Sequence, residues 1–179
     1  MVERARGGDE SAFADIVDAT GDRCYGIAYR ILRDEALAQD AVQQAYLLAW
    51  RELPRLRDIS RFDAWLYRLL INACYEESRR RRRWSRNVRA IEAAGSPHER
   101  DFAALEHRDA IERAFHRLSP EHRAVFVMHH YAGTPLADIA AVMGVPLGTV
   151  KSRLHNATKS LRAALVADAA AAEAVEVAR

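Results

Sequence analysis

Glycine and proline are scarce in this chain, eight and five among 179 residues. With so few breakers, and with alanine, leucine and arginine plentiful, an all-helical protein is expected. Cysteine is rarer still. Cys24 and Cys74 lie far apart in sequence, each inside an apolar helical pattern. They read as buried free thiols in a reducing cytoplasm, with a disulfide or redox switch as the alternative. No apolar run approaches the roughly 20 residues needed to span a bilayer, and no N-terminal signal pattern is present. A cytoplasmic protein without membrane insertion is expected. Among seven histidines only the adjacent His129 and His130 come close together. Helix neighbours point about 100° apart and cannot readily share a metal. There is no glycine-rich phosphate loop, no nucleophile elbow and no pattern of paired buried carboxylates. Neither a cofactor nor an enzyme's catalytic site is therefore expected. The formal net charge is only +2, so any polyanion partner must be read from how the charge is distributed.

What is present centres on residues 136–154, L-A-D-I-A-A-V-M-G-V-P-L-G-T-V-K-S-R-L. Leu136, Ile139, Ala140 and Met143 fall at helical spacing. Gly144 ends that helix, because glycine enters the left-handed conformation freely. A second helix is expected from Leu147, with Val150 and Leu154 turned inward and Lys151, Ser152, His155 and Lys159 outward. Alanine at the crossing, glycine at the turn and valine in the angle make a helix-turn-helix whose second helix can enter a major groove. An ordinary helical hairpin is the alternative.

From the N-terminus, Asp9 is a plausible cap for a helix with Ala12, Phe13, Ile16 and Val17 on one side. Thr20, Gly21 and Asp22 are expected to interrupt it before a second helix over 23–32. A third helix over 35–53 places Ala41, Val42, Ala45, Leu48 and Ala49 against neighbours, and Pro54 ends it. After a polar loop at 56–60, a fourth helix over 61–83 buries Leu66, Leu69, Leu70, Ala73 and Cys74. Four such helices can share one bundle core.

Beside that stripe, Phe62, Trp65, Arg68, Asn72 and Tyr75 recur at steps of three and four. Rings stack on unstacked bases, arginine takes phosphate, and asparagine can read a base edge. Trp65 and Tyr67 as plain core residues are the alternative. Five consecutive arginines follow, Arg79 to Arg83, then Trp84, Arg86 and Arg89. At the end of such a helix they read as phosphate-neutralising, and they also suit the helix dipole. Residues 88–101 lose periodicity and read as a linker that turns acidic. A second domain is expected over 102–165. Ser119 caps a helix with Pro120 in its first turn, and Thr134-Pro135 is expected to repeat the device. The alanine-rich 166–179 reads as a frayed helical tail.

Four strings in this order carry a family resemblance: D-A-V-Q-Q-A-Y-L-L-A-W at 40–50, F-D-A-W-L-Y-R-L-L-I-N at 62–72, L-S-P-E-H-R-A-V-F at 118–126 and G-V-P-L-G-T-V-K-S-R-L at 144–154. Together they resemble a bacterial RNA polymerase sigma factor of the extracytoplasmic-function (ECF) group, over nearly the whole chain. The resemblance implies an all-α protein with an N-terminal four-helix domain (1–87, region 2-like), a flexible linker (88–101), a helix-turn-helix domain (102–165, region 4-like) and the tail (166–179).

It also implies roles. Asp40, Val42 and Gln43 would dock on the clamp helices of core RNA polymerase, with Gln44 where the family usually has an acidic residue. Leu56, Arg57 and Asp58 of the loop, with Asn72, would capture an unpaired base of the −10 element. Asp58 stands where the family often has glycine. Trp65, Arg68, Arg79 and Arg80 would hold the adjoining single strand. The linker would thread toward the RNA exit channel. Lys151, Ser152 and His155 would read the −35 element, while Thr149, Arg153, Asn156 and Lys159 would take phosphates. Many relatives have arginine at the position of Asn156. The partners implied are core polymerase, promoter DNA and, as often in the family, an anti-sigma factor. A stand-alone helix-turn-helix regulator with a ligand-sensing domain, and an adaptor that binds no DNA, are the competing readings.

Overall fold

The structure is a computed structural model that describes residues 1–92 and 109–177, with side chains described over 1–84 and 112–167. Among the described residues all regular structure is helical. None of these helices is long and apolar enough to cross a membrane.

A short α1 (Val2–Arg6), not foreseen in the sequence, buries Ala5 and leads to Asp9. The Asp9 carboxylate accepts from the Ala12 amide at 2.9 Å and so starts α2 (Glu10–Leu32). The expected break at Thr20-Gly21-Asp22 does not occur, and α2 is one continuous helix. Thr20 Oγ1 bonds back to the Ile16 carbonyl at 2.7 Å and also meets Tyr46 Oη at 2.7 Å. The polar side chain is thus satisfied inside the helix, while Ile16, Cys24, Ile27 and Ile31 are buried on either side of it. Packing along the whole apolar face outweighs a local propensity of about 1 kcal/mol. Arg33, in the left-handed conformation at φ 58°, ends α2.

Asp34 caps α3 (Glu35–Glu52) through the Leu37 amide at 3.1 Å. Every fully buried side chain of α3 is an alanine: Ala38, Ala41, Ala45 and Ala49. These small side chains let its backbone approach α2 and α4 closely. Pro54 stops α3 by opening a 3₁₀ turn, Leu53–Arg55. Asp58 accepts from the Ser60 amide at 3.0 Å and Ser60 Oγ at 2.6 Å, shaping a second 3₁₀ turn, Ile59–Arg61, that feeds α4 (Phe62–Glu92). Leu66, Leu69, Leu70, Ala73 and Cys74 are all buried, as the stripe predicts. The helix continues past the expected end at Arg83, so 88–92 are helical instead of linker. The rest of the expected linker, 93–101, lies outside the described residues.

The second half holds α5 (Asp109–Arg117), α6 (Pro120–His130), α7 (Leu136–Met143) and α8 (Leu147–Val177). Ser119 caps α6 by accepting from the His122 amide at 3.3 Å. Thr134 does not repeat the device: Pro135 is the capping residue of α7 and no side chain bonds there. Gly144 ends α7 at φ 63°, ψ 35°, the left-handed geometry its sequence position requires. Val150 is fully buried in the angle beyond. α5 and α6 both pack on α8, where Ala114, Leu118, Ala157 and Leu161 form a small cluster of their own. The stretch read as a frayed tail continues α8 to Val177.

The two halves are also packed on each other. α2 touches α6, and α4 touches both α6 and α7. One apolar cluster runs from Ile16, Ile27 and Leu70 into Val125, Met128, Ile139 and Val150.

Candidate polymerase and nucleic-acid interfaces

α3 turns its alanine seam inward, so its opposite face is left to solvent. Asp40 and Gln43 are exposed there, while Val42 is half-buried against the core. Leu47, one turn beyond Gln43, is also exposed, at 55%. The sequence reading passed over it. The signal was available, since 40, 43 and 47 share one helical face. The Asp40 carboxylate accepts from Arg80 Nη2 at 2.9 Å, and the same nitrogen lies 2.7 Å from the nearly buried Glu77. Burial pushes the Glu77 carboxyl up, and Arg80 opposes that. One residue assigned to docking and one assigned to single-strand binding are thus joined directly.

The aromatic face of α4 divides. Arg68 and Asn72 are exposed, Trp65 and Tyr75 are half-buried, and Phe62 is buried with its ring 5.7 Å from that of Trp65. Phe62 therefore belongs to the core, as does Tyr67. Leu56 is half-buried, while Arg57 and Asp58 are exposed just before the helix. Arg61, Trp65 and Arg68 line an open cleft with Ala141 and Val142 of α7. Arg61 was not singled out from the sequence.

In the arginine run, Arg79 pairs with Glu76 at 2.7 Å, Arg80 with Asp40, and Arg81 with Asp34 at 3.3 Å. All three guanidiniums are exposed, and such pairs contribute about 0–1 kcal/mol each, so phosphate can displace the carboxylates. Trp84 at the end of the run is 67% exposed.

On α8, Lys151, Ser152, His155, Asn156 and Lys159 are exposed, whereas Thr149 and Arg153 are half-buried. Ser152 Oγ donates to the Thr149 carbonyl at 2.9 Å, which leaves only its lone pairs for a base. Burial raises Tyr75 and opposes the lowering of Glu121, which hydrogen bonds and nearby arginines hold below its usual value; the charge of Arg153 lowers both. Of the four residues assigned to phosphates, Asn156 and Lys159 are fully open to solvent, and Thr149 and Arg153 are partly so.

The thiols of Cys24 and Cys74 are free and buried in the first half. Burial pushes Cys74 up to about 12 and also raises Cys24. A raised, enclosed thiol is a poor nucleophile. The native chain is expected to leave a disulfide-exchange reagent unconsumed, and to release two equivalents of reporter once unfolded in denaturant. Rapid reaction of either thiol in the native chain would contradict this.

Residues 16–84 match the family described as Sigma-70 region 2, and residues 108–161 match Sigma-70, region 4. Over 143 residues the chain is 38% identical to the ECF RNA polymerase sigma factor SigL of Mycobacterium tuberculosis, covering 77% of this chain and 80% of SigL. Over 177 residues it is 33% identical to the RNA polymerase sigma-H factor of Pseudomonas aeruginosa, covering 92% of each. In fold it is similar to the sigma factor RpoE solved in complex with the anti-sigma factor NepR from Bartonella quintana, with a TM-score of 0.67 and 24% identity over 86% of this chain and 96% of that one. The two region matches, in the order of the two helical halves, and the likeness to full-length relatives lead to one conclusion: the chain belongs to the ECF sigma factors, which direct transcription initiation by RNA polymerase.

Proposed function

We propose a division of labour between the two halves. Residues 1–87 dock on core polymerase through Asp40, Val42 and Gln43, with Leu47 completing the face. The same half captures the melted −10 strand with Leu56, Arg57, Asp58, Trp65, Arg68, Asn72, Arg79 and Arg80. Residues 102–165 read the −35 duplex, with Lys151, Ser152 and His155 at base edges and Thr149, Arg153, Asn156 and Lys159 at phosphates. The intervening 88–101 connects them, and 166–179 extends the last helix without an assigned role. The chain works in the cytoplasm as a specificity subunit, and the bond-forming chemistry belongs to polymerase. An anti-sigma factor covering the polymerase-binding surface is the expected antagonist.

The observation that carries this reading is the set of exposed polar residues on α8, Lys151, Ser152 and His155, one turn beyond a glycine-ended helix that buries Val150 in the angle. That geometry leaves one helix face free for a major groove. In the first half, capture of an extruded base shifts the duplex toward the open state by the difference in affinity for the two. Arginines add a sequence-independent term through counterion release. Joining the halves raises the effective concentration of the second contact once the first has formed.

The test is run-off transcription with core polymerase, followed by sequencing of the transcripts. Initiation at promoters sharing two elements is expected. Asp40→Ala combined with Gln43→Ala should weaken polymerase binding at least tenfold in a pull-down titration without lowering the melting temperature, because both side chains are exposed. Folded wild-type chain that initiates nowhere, or that binds promoter duplex equally tightly without polymerase, would refute the assignment.

A further inference from the structure

Helices that end in the left-handed conformation usually do so on glycine or asparagine. α2 ends that way on Arg33, so the position keeps a side chain that its backbone disfavours. Arg33 pairs with Glu112 of α5, and its guanidinium stands 6.0 Å from the centroid of the Phe115 ring. Its Nε is buried without a hydrogen-bond partner. Arg123 of α6 is 8% exposed, and its Nε is unbonded as well. Tyr75 Oη is a third such atom. It lies on α4 two turns before Arg82, on the same side of the helix, and the charge of Glu121 acts on both Tyr75 and Arg123. Buried polar groups are hydrogen-bonded in the large majority of cases. Three unbonded donors around one junction call for an acceptor.

The charge around the junction says which kind. Burial lowers Arg123 to about 10, with Arg33, Arg81 and Arg82 pushing the same way and Glu121 opposing. Partial burial lowers His116 of α5, and Arg33, Arg123 and Arg81 add to it. Arg33 has Glu112 and Arg81 has Asp34. Among the described residues, neither Arg82 nor Arg123 has a carboxylate at ion-pair distance. A buried charge is ordinarily paired, and guanidiniums hold phosphate oxygens through paired N–H groups. The frame is packed in advance. Tyr131 lies against the backbone of Gly26, leaving no room there for a Cβ, and Arg23 Nη2 donates to the Ala132 carbonyl at 2.7 Å. Arg81 and Arg82 are exposed, so an ion reaches the cluster from their side.

We propose that Arg33, Arg81, Arg82 and Arg123, with Tyr75 Oη, form a binding site for a phosphate group, free or carried by a nucleotide. The nucleic-acid reading above takes Arg79 and Arg80 and leaves these residues out. A strand backbone can touch Arg81 and Arg82, but Arg123 lies too deep for it, whereas a single phosphate can pass between the exposed pair. The residues come from α2, α4 and α6, so a bound phosphate ties three helices and makes their packing sensitive to its concentration.

The test is thermal denaturation of the full chain in potassium phosphate, with potassium chloride at equal ionic strength as reference. A saturable rise of about 3–6 °C is expected at ten times the dissociation constant. Phosphate also stabilises proteins generally by exclusion from their surface, so the variants carry the decision. Arg123→Met should melt higher than wild type in chloride, because an unpaired charge leaves the interior, and should lose the saturable rise. Arg82→Gln, at an exposed position, should fold normally and bind orthophosphate about tenfold more weakly; it decides the matter even if Arg123→Met does not fold. Arg51→Gln, an exposed position of α3, should change nothing. Calorimetric titration with orthophosphate, pyrophosphate and a nucleoside triphosphate separates the sources, the tightest that depends on Arg82 and Arg123 being the ligand. Equal saturable stabilisation of wild type, Arg82→Gln and Arg123→Met, or none beyond chloride, overturns the site. A short single strand weakened by Arg123→Met as much as orthophosphate is would give the cluster to the DNA backbone, and overturn it too.

Discussion

Alanine at both Lys151 and His155 is expected to weaken binding to the −35 duplex at least thirtyfold at fixed salt, while the melting temperature stays where it was. Each lost base contact is worth about 1–3 kcal/mol of discrimination, and both side chains stand exposed on α8. Neither takes part in the packing that holds the helix, which is done by Val150, Ala157 and Leu161. Fluorescence anisotropy on a duplex recovered by transcript sequencing gives the affinity, and a scrambled duplex gives the sequence-independent part. Ser152→Ala should have a smaller effect, since its hydroxyl proton already serves the Thr149 carbonyl. A loss equal on matched and scrambled duplexes would move both residues from base reading to phosphate contact.

Leu70→Ala should have the largest effect on stability. Leu70 is fully buried, and truncation of such a leucine costs about 2–5 kcal/mol, counting the cavity left behind. Domains hold only about 5–15 kcal/mol in total, so a large fall in the urea midpoint is expected. Every activity of the first half should weaken together, in contrast to Asp40→Ala combined with Gln43→Ala, which should weaken docking without lowering the urea midpoint. A stable Leu70→Ala chain would mean that the α2–α3–α4 core relaxes into the space.

The sequence made local chemistry readable where one side chain acts on its own backbone. Asp9 and Ser119 cap as expected because a short oxygen-bearing side chain preceding a helix has one good use. Gly144 was legible because few other residues take its φ without cost. Thr20-Gly21-Asp22 and Thr134 do not behave as such local signals. Threonine can bond back into its own helix, as Thr20 does, and a following proline can itself occupy the capping position, as Pro135 does. The outward residues of α8 were readable from helical period. Phe62 was not, because it falls at helical spacing with both Trp65 and Leu66, on the border of two faces, and only packing decides which of them takes its ring. The partners of Arg80 and Arg81 include Asp40 and Asp34, 40 and 47 residues away, and no local pattern announces them. The meeting of Tyr131 with Gly26 is equally silent, being a contact between halves that the periodicity treats as separate.

The alanine seam of α3 has one more consequence. Alanine has no rotamers to lose on folding, whereas a buried leucine forfeits about 0.5–1 kcal/mol of side-chain freedom. The four seam positions are therefore ordered at the cost of backbone entropy alone, in exchange for less apolar area. A side chain without rotamers also cannot rearrange to follow a neighbour that shifts. The helix presenting Asp40 and Gln43 thus has little internal slack, and any displacement of it must move the whole rod.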